Sequence, residues 1–203
     1  MANHSAVQHF AQAPLILFVP GHAHGGASDW MRDWERRYAH GERLDLGMWD
    51  QPHRNTWVNR LNLAVHHADR PVVLVAHDIG CLAVAWWAEY ERPERGAVIG
   101  ALLVAPPDVD RPGADPRLAP FGACPRQELP FPSFVVADAG APQAKLVTTT
   151  QLASDWGSSF TLDDVGRRSW EAGHYLLGRL RRASHRAPAL PIAASLDEPR
   201  AGV

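Results

Sequence analysis

Two cysteines in 203 residues, Cys81 and Cys124, are too few for a disulfide framework, so a reduced, cytoplasmic protein is expected. No apolar run approaches the roughly 20 residues that a membrane-spanning helix needs. The first dozen residues lack the basic-then-apolar order of a secretory signal. An excess of one charge is missing too. The net charge is −2, and no basic cluster supplies the electrostatic footprint of a nucleic-acid binder. What is present, 46% hydrophobic and 21% charged residues, suffices to bury one good core. One domain is expected, with a small molecule as substrate or ligand and neither membrane nor nucleic acid as partner. No pattern speaks to oligomeric state.

The chain is organised around Val72–Gly80, Val-Val-Leu-Val-Ala-His-Asp-Ile-Gly, and the apolar run that follows it. Five apolar residues, two polar residues and a glycine leading into a helical pattern read as a buried parallel strand, a sharp turn and a helix. That is the form of a nucleophile elbow, in which the central residue sits on a strained turn and small residues flank it because strand and helix nearly touch. The flanking residues here are Ala76 and Gly80, and the centre is Asp78. Cys81 opens the helix one position beyond the elbow glycine and reads as a packed, inert thiol.

Around this element the chain alternates. Residues 1–12 read as a flexible tail. Leu15–Val19 is a buried strand ended by Pro20-Gly21, and the loop His22-Ala-His-Gly-Gly-Ala27 leads to a helix capped by Ser28 and carrying Trp30, Trp34 and Tyr38 on one side. A short strand near Arg43–Gly47, a helix from Asn55 to about Ala68, the elbow strand and its helix to Pro93, and a strand at Val98–Val104 follow. Arg111–Pro132 reads as an irregular surface excursion. Ser133–Ala137 is a strand, Lys145–Trp156 a helix, Ser158–Leu162 a last strand and Trp170 to about Arg182 a closing helix. The pattern gives a single α/β domain over 13–184, with about six mostly parallel strands, helices on both faces and no large cap domain. The Ala- and Pro-rich stretch 185–203 reads as disordered.

Several motifs in order resemble a known family: Pro-Gly, the Trp-x-x-x-Trp-Glu helix, Trp49-Asp50-x-Pro52, Ala-His-x-x-Gly-Cys-Leu-Ala and Leu-Leu-Val-Ala-Pro-Pro-Asp. The chain is similar from about Pro14 to Leu180 to the small, capless serine hydrolases related to retinoblastoma-binding protein nine, which are α/β-hydrolases. The resemblance implies a Ser-His-Asp triad whose serine falls on Asp78. The family's acid falls in the Gly140-Ala141 segment before Pro142, and its histidine on Arg167 in Gly166-Arg167-Arg168-Ser169. On this alignment all three triad positions have changed, and serine acylation is excluded.

The remaining candidates are polar groups around the same pocket. Asp78 either caps the elbow helix or reacts. His-Asp-Ile-Gly is also similar to the H-D-x-G turn of haloalkane dehalogenases and epoxide hydrolases, whose aspartate accepts an alkyl group. His22 and His24 lie in the loop that in the family lends a backbone N–H to the oxyanion hole. The backbone donors of His22 and Ile79 are expected to converge near Asp78. A histidine within reach of a carboxylate is an acid and base pair. His174, in Gly-His-Tyr-Leu, is a candidate replacement for the lost base, and Asp138 for the lost acid. Trp49 and Asp50 fall on a family motif that lines the pocket mouth, which the resemblance implies they shape, and Arg167 can take a substrate carboxylate. His77 reads as structural. His22, His24 and Asp78 form only a weak metal pattern, so neither metal nor cofactor is expected. Three readings follow: a cofactor-free lyase, isomerase or cyclase using Asp78 and a loop histidine; a hydrolase with Asp78 as covalent nucleophile; and a non-catalytic binding module.

Overall fold

The computed structural model describes residues 13–22, 28–165 and 170–183. The elements run β1 (Leu15–Val19), α1 (Asp29–Arg37), β2 (Gly41–Arg43), α2 (Arg54–His67), β3 (Val72–His77), α3 (Ile79–Glu91), β4 (Val98–Val104), a 3-10 helix (Pro116–Phe121), β5 (Ser133–Asp138), α4 (Gln143–Asp155), β6 (Ser159–Asp163) and α5 (Glu171–Ala183). The strands form one sheet in the order β2-β1-β3-β4-β5-β6, with every neighbouring pair parallel. After β1 the chain first pairs on one side as β2 and then returns to the other as β3. The carboxyl ends of β1 and β3 therefore flank a topological switch point, where such sheets place their ligands.

The central strands read as unbroken apolar runs because both faces are covered. Leu17, Val19, Leu74 and Ala76 turn to one face, where they join Trp57 and Leu61 of α2, Trp87 of α3 and Leu152 of α4. Ile16, Phe18, Val73 and Val75 turn to the other, against Trp30 and Trp34 of α1 and Leu177 of α5. At roughly 1.5–3 kcal/mol for each large side chain fully buried, these two layers hold the fold. Among the described residues no inserted segment has the size of a cap domain, and no helix is long and apolar enough to cross a membrane.

Two expectations are corrected. The second strand is Gly41–Arg43 rather than Arg43–Gly47, in register with Ile16–Phe18. Past Leu44 the backbone cannot stay extended, because Gly47 and Met48 take φ of 60° and 53° in a turn whose Gly47 N–H donates to Asp45 Oδ1 at 3.1 Å. The stretch from Arg111 to Pro132 is no mere surface excursion. Its 3-10 helix is opened by Asp115, whose carboxylate accepts the Arg117 N–H at 2.9 Å, and it buries Leu118 and Phe121. The Trp86 indole then donates to the Phe121 carbonyl at 2.9 Å, tying this helix to α3. The expected tails fall on 1–12 and 185–203, outside the described residues.

Candidate functional site

Asp78 stands between β3 and α3 with φ 53° and ψ −131°, a region that residues with a Cβ rarely occupy. Its N–H donates to the Val104 carbonyl at 2.9 Å, and its own carbonyl accepts from Cys81 N–H at 3.0 Å, so the turn is fixed on both sides. The glycines explain how tightly it is made. A Cβ on Gly80 would fall 2.4 Å from the Val19 carbonyl oxygen, and one on Gly21 would fall 2.7 Å from both the Asp78 Cβ and Oδ2. Helix α3 thus presses against β1, and the β1 loop presses against the Asp78 side chain.

That approach brings His22 to Asp78. Imidazole Nδ1 lies 2.9 Å from carboxylate Oδ2, with the two side chains 17% and 23% exposed. The pair is sheltered yet reachable from solvent. With Nδ1–H donating to the carboxylate, Nε2 is left with a free lone pair. The Ile79 N–H, at the first position of α3, has no acceptor within its own helix.

Charges continue outward from the pair. Arg117 donates to the Asp115 carboxylate through Nε at 3.0 Å and Nη2 at 2.6 Å, holding the Asp115 pKa down to about 2. His22 acts electrostatically on Asp115, and Asp50 on Arg117, so the ion pair of the 3-10 helix lies within electrostatic reach of both. Trp49 packs edge-on against Trp57 at 5.6 Å, and Trp57 does the same against Phe121. The Trp49-Asp50 loop and the 3-10 helix are thereby clamped together over α2. Asp115 and Arg117, within electrostatic reach of His22 and Asp50, are charged residues that the sequence reading did not single out. The signal was present in Asp-Pro-Arg, where the aspartate opens a proline-started turn.

The other candidates divide. His77 lies edge-on to Trp30 at 5.7 Å. Burial holds its pKa below the ordinary histidine range, opposed by the Asp78 carboxylate and assisted by the charge of Lys145. Cys81 is fully buried with its thiol donating to the Val104 carbonyl, and burial raises its pKa well above the usual value. Asp138 folds back to accept the Gly140 N–H at 3.0 Å. His24 and Arg167 lie outside the described residues. Among the described residues, no group of three or more His, Cys, Asp or Glu is placed to hold a metal.

His174 as a replacement base for Asp78 is corrected. Its Nδ1 is 2.7 Å from the Tyr38 hydroxyl, and its ring stacks on Trp34 with centroids 4.1 Å apart. The reason is the face it occupies: α5 packs with α1 in the layer containing Trp30, Trp34 and Trp170. The ring is engaged in that layer, where burial lowers its pKa, and not with the Asp78 carboxylate.

Comparison with known proteins agrees with this architecture. A YdeN-like hydrolase from Pectobacterium atrosepticum is 24% identical, over 88% of this chain and 95% of that one, with a TM-score of 0.65. The ydeN gene product of B. subtilis is 16% identical, over 85% and 98%, with a TM-score of 0.62. The type II thioesterase BorB of the borrelidin biosynthetic cluster is 14% identical, over 85% and 93%, with a TM-score of 0.55. At these identities the likeness is one of fold. No curated protein sequence matches. The serine hydrolase family model matches residues 16–179, nearly the whole described domain, and the chain therefore belongs to the serine hydrolase family, with an α/β-hydrolase fold.

Proposed function

We propose that this protein is a triad-less relative of the small capless hydrolases related to retinoblastoma-binding protein nine, and that it catalyses cofactor-free acid and base chemistry on a small molecule. The observation that carries the reading is the 2.9 Å contact between His22 Nδ1 and Asp78 Oδ2 at the elbow. In this reading Asp78 fixes the imidazole tautomer and stabilises the imidazolium, as a carboxylate does for a histidine base. Nε2 removes a proton from a substrate carbon and returns one to it or to a neighbouring atom. The N–H groups of Ile79 and His22 hold the negative charge that develops on the adjacent oxygen. The reaction is then of lyase, isomerase or cyclase type. Serine acylation has no nucleophile at the elbow, because that position is Asp78.

The test does not require the physiological substrate. A panel of small carbonyl and carboxylate compounds is incubated with the protein in heavy water, and exchange of C–H for C–D is followed by proton NMR. Exchange by the native protein that disappears in His22→Ala and Asp78→Asn is the expected result. Exchange unchanged in both variants would leave a binding module in its place. Turnover of a halide or epoxide substrate in heavy-oxygen water, with label recovered in the Asp78 carboxylate, would replace proton transfer by a covalent alkyl-enzyme.

A further inference from the structure

The sequence contains a single lysine, Lys145, beside arginine at every other cationic side-chain position. It occupies the third position of α4, whose first turn holds no acidic residue and whose N-cap is Pro142. A cation there opposes the positive end of the helix dipole, so local stability does not favour it. The side chain is half-buried. Among the described residues it forms no ion pair. Two carboxylates flanking α4 are engaged by other groups: Asp108 accepts from Thr148 Oγ1 at 3.0 Å and from the Asp110 N–H, and Asp138 accepts from the Gly140 N–H.

Its direction follows from that Thr148 contact. Lys145 and Thr148 are three residues apart and share a helix face. Thr148 reaches Asp108 in the loop after β4, and β4 is the strand beside the elbow strand β3. The face carrying Lys145 therefore looks toward the loop after β4, at the carboxyl edge of the sheet where Asp78 also stands. Its charge is felt by His77, the residue directly before the elbow. His22 approaches from β1, on one side of β3, and Lys145 from beyond β4, on the other.

We propose that Lys145 is a substrate-binding residue, whose ammonium donates to a carboxylate of the substrate and so holds the neighbouring carbon between itself and His22. The substrate class is a small carboxylate-bearing carbon acid, an assignment that rests on the acid and base reading of Asp78 and His22. With no carboxylate of the described residues paired to it, the Lys145 ammonium is left available to an anion.

Because the lysine is unique, it can be observed directly. Reductive methylation with carbon-13 formaldehyde labels Lys145 and the terminal amine alone, and sodium malonate is then titrated at constant ionic strength. The Lys145 resonance moves saturably with malonate. In unmodified nitrogen-15 protein, the Ile79 amide reports malonate binding about tenfold weaker in Lys145→Met, and nearly native in Lys145→Arg. Circular dichroism verifies that both variants fold. A resonance that follows ionic strength only, no saturable binding, or native malonate affinity in Lys145→Met would each overturn the proposal. The titration requires no proton transfer. C–H exchange that persists in Asp78→Asn and His22→Ala therefore removes the acid and base reading without touching the malonate result, and loss of exchange with indifferent malonate removes Lys145 alone.

Discussion

At the scale of single residues, the proposed chemistry turns on whether His22 is held by a carboxylate or only by its loop. Asp78→Asn keeps the shape but removes the charge, and His22→Ala removes the base. Each is expected to lower the exchange rate roughly 100-fold to 10,000-fold with unchanged circular dichroism. Gly21→Ala is a more demanding test, because the new methyl would lie 2.7 Å from the Asp78 side chain and push Oδ2 away from Nδ1. A loss of rate comparable with that of Asp78→Asn in a folded protein is expected; native rate would show that the contact is dispensable. Fluorophosphonate probes should leave Asp78 unlabelled by mass spectrometry, since a carboxylate forms no stable phosphonylated serine. The meeting of His22 with Asp78 was legible because both residues follow strands that read as buried and parallel. His174 was not. Gly-His-Tyr-Leu specifies a helix but not the face of the sheet it covers, and the ring sits among Trp34 and Tyr38.

At the scale of elements, the β3-turn-α3 unit carries stored strain. A φ of 53° with ψ of −131° at a residue bearing a Cβ costs about 1–3 kcal/mol. Asp78→Gly should therefore unfold at higher urea concentration, a gain of about 1 kcal/mol, while losing the proposed C–H exchange. A variant less stable than the native protein would mean that the His22 contact outweighs the strain. The other strands and the α-helices were readable because period and turn residues agree in them. The second strand was misplaced because nothing in Arg-Leu-Asp-Leu-Gly announces that Met48 joins Gly47 at positive φ. The 3-10 helix was missed because a proline-rich stretch without periodicity hides two anchors, Leu118 and Phe121, whose burial only the fold reveals.

At the scale of the whole molecule, two histidines tie stability to pH. Burial lowers the pKa of both His77 and His174, so the unfolded chain binds protons more readily than the folded one. Their contribution is complete above the ordinary histidine range near 6.5 and is lost as pH falls through it toward the folded values. The urea midpoint should be lower at about pH 5.5 than at about pH 7.5, and the drop should shrink in His174→Phe. An equal drop in that variant would place the sensitivity elsewhere. The layer that buries these rings has an optical consequence as well. Trp30, Trp34 and Trp170 lie with centroids 5.2 Å apart in each pairing, joining α1 to the residue that directly precedes α5. Indoles this close share their electronic excitation, so the native protein should show a paired positive and negative band in circular dichroism that no isolated tryptophan produces. Trp30 and Trp34 couple within α1 itself, so the couplet should weaken to that pair alone once α5 leaves the sheet and Trp170 with it, even while the remaining helices still absorb as helices.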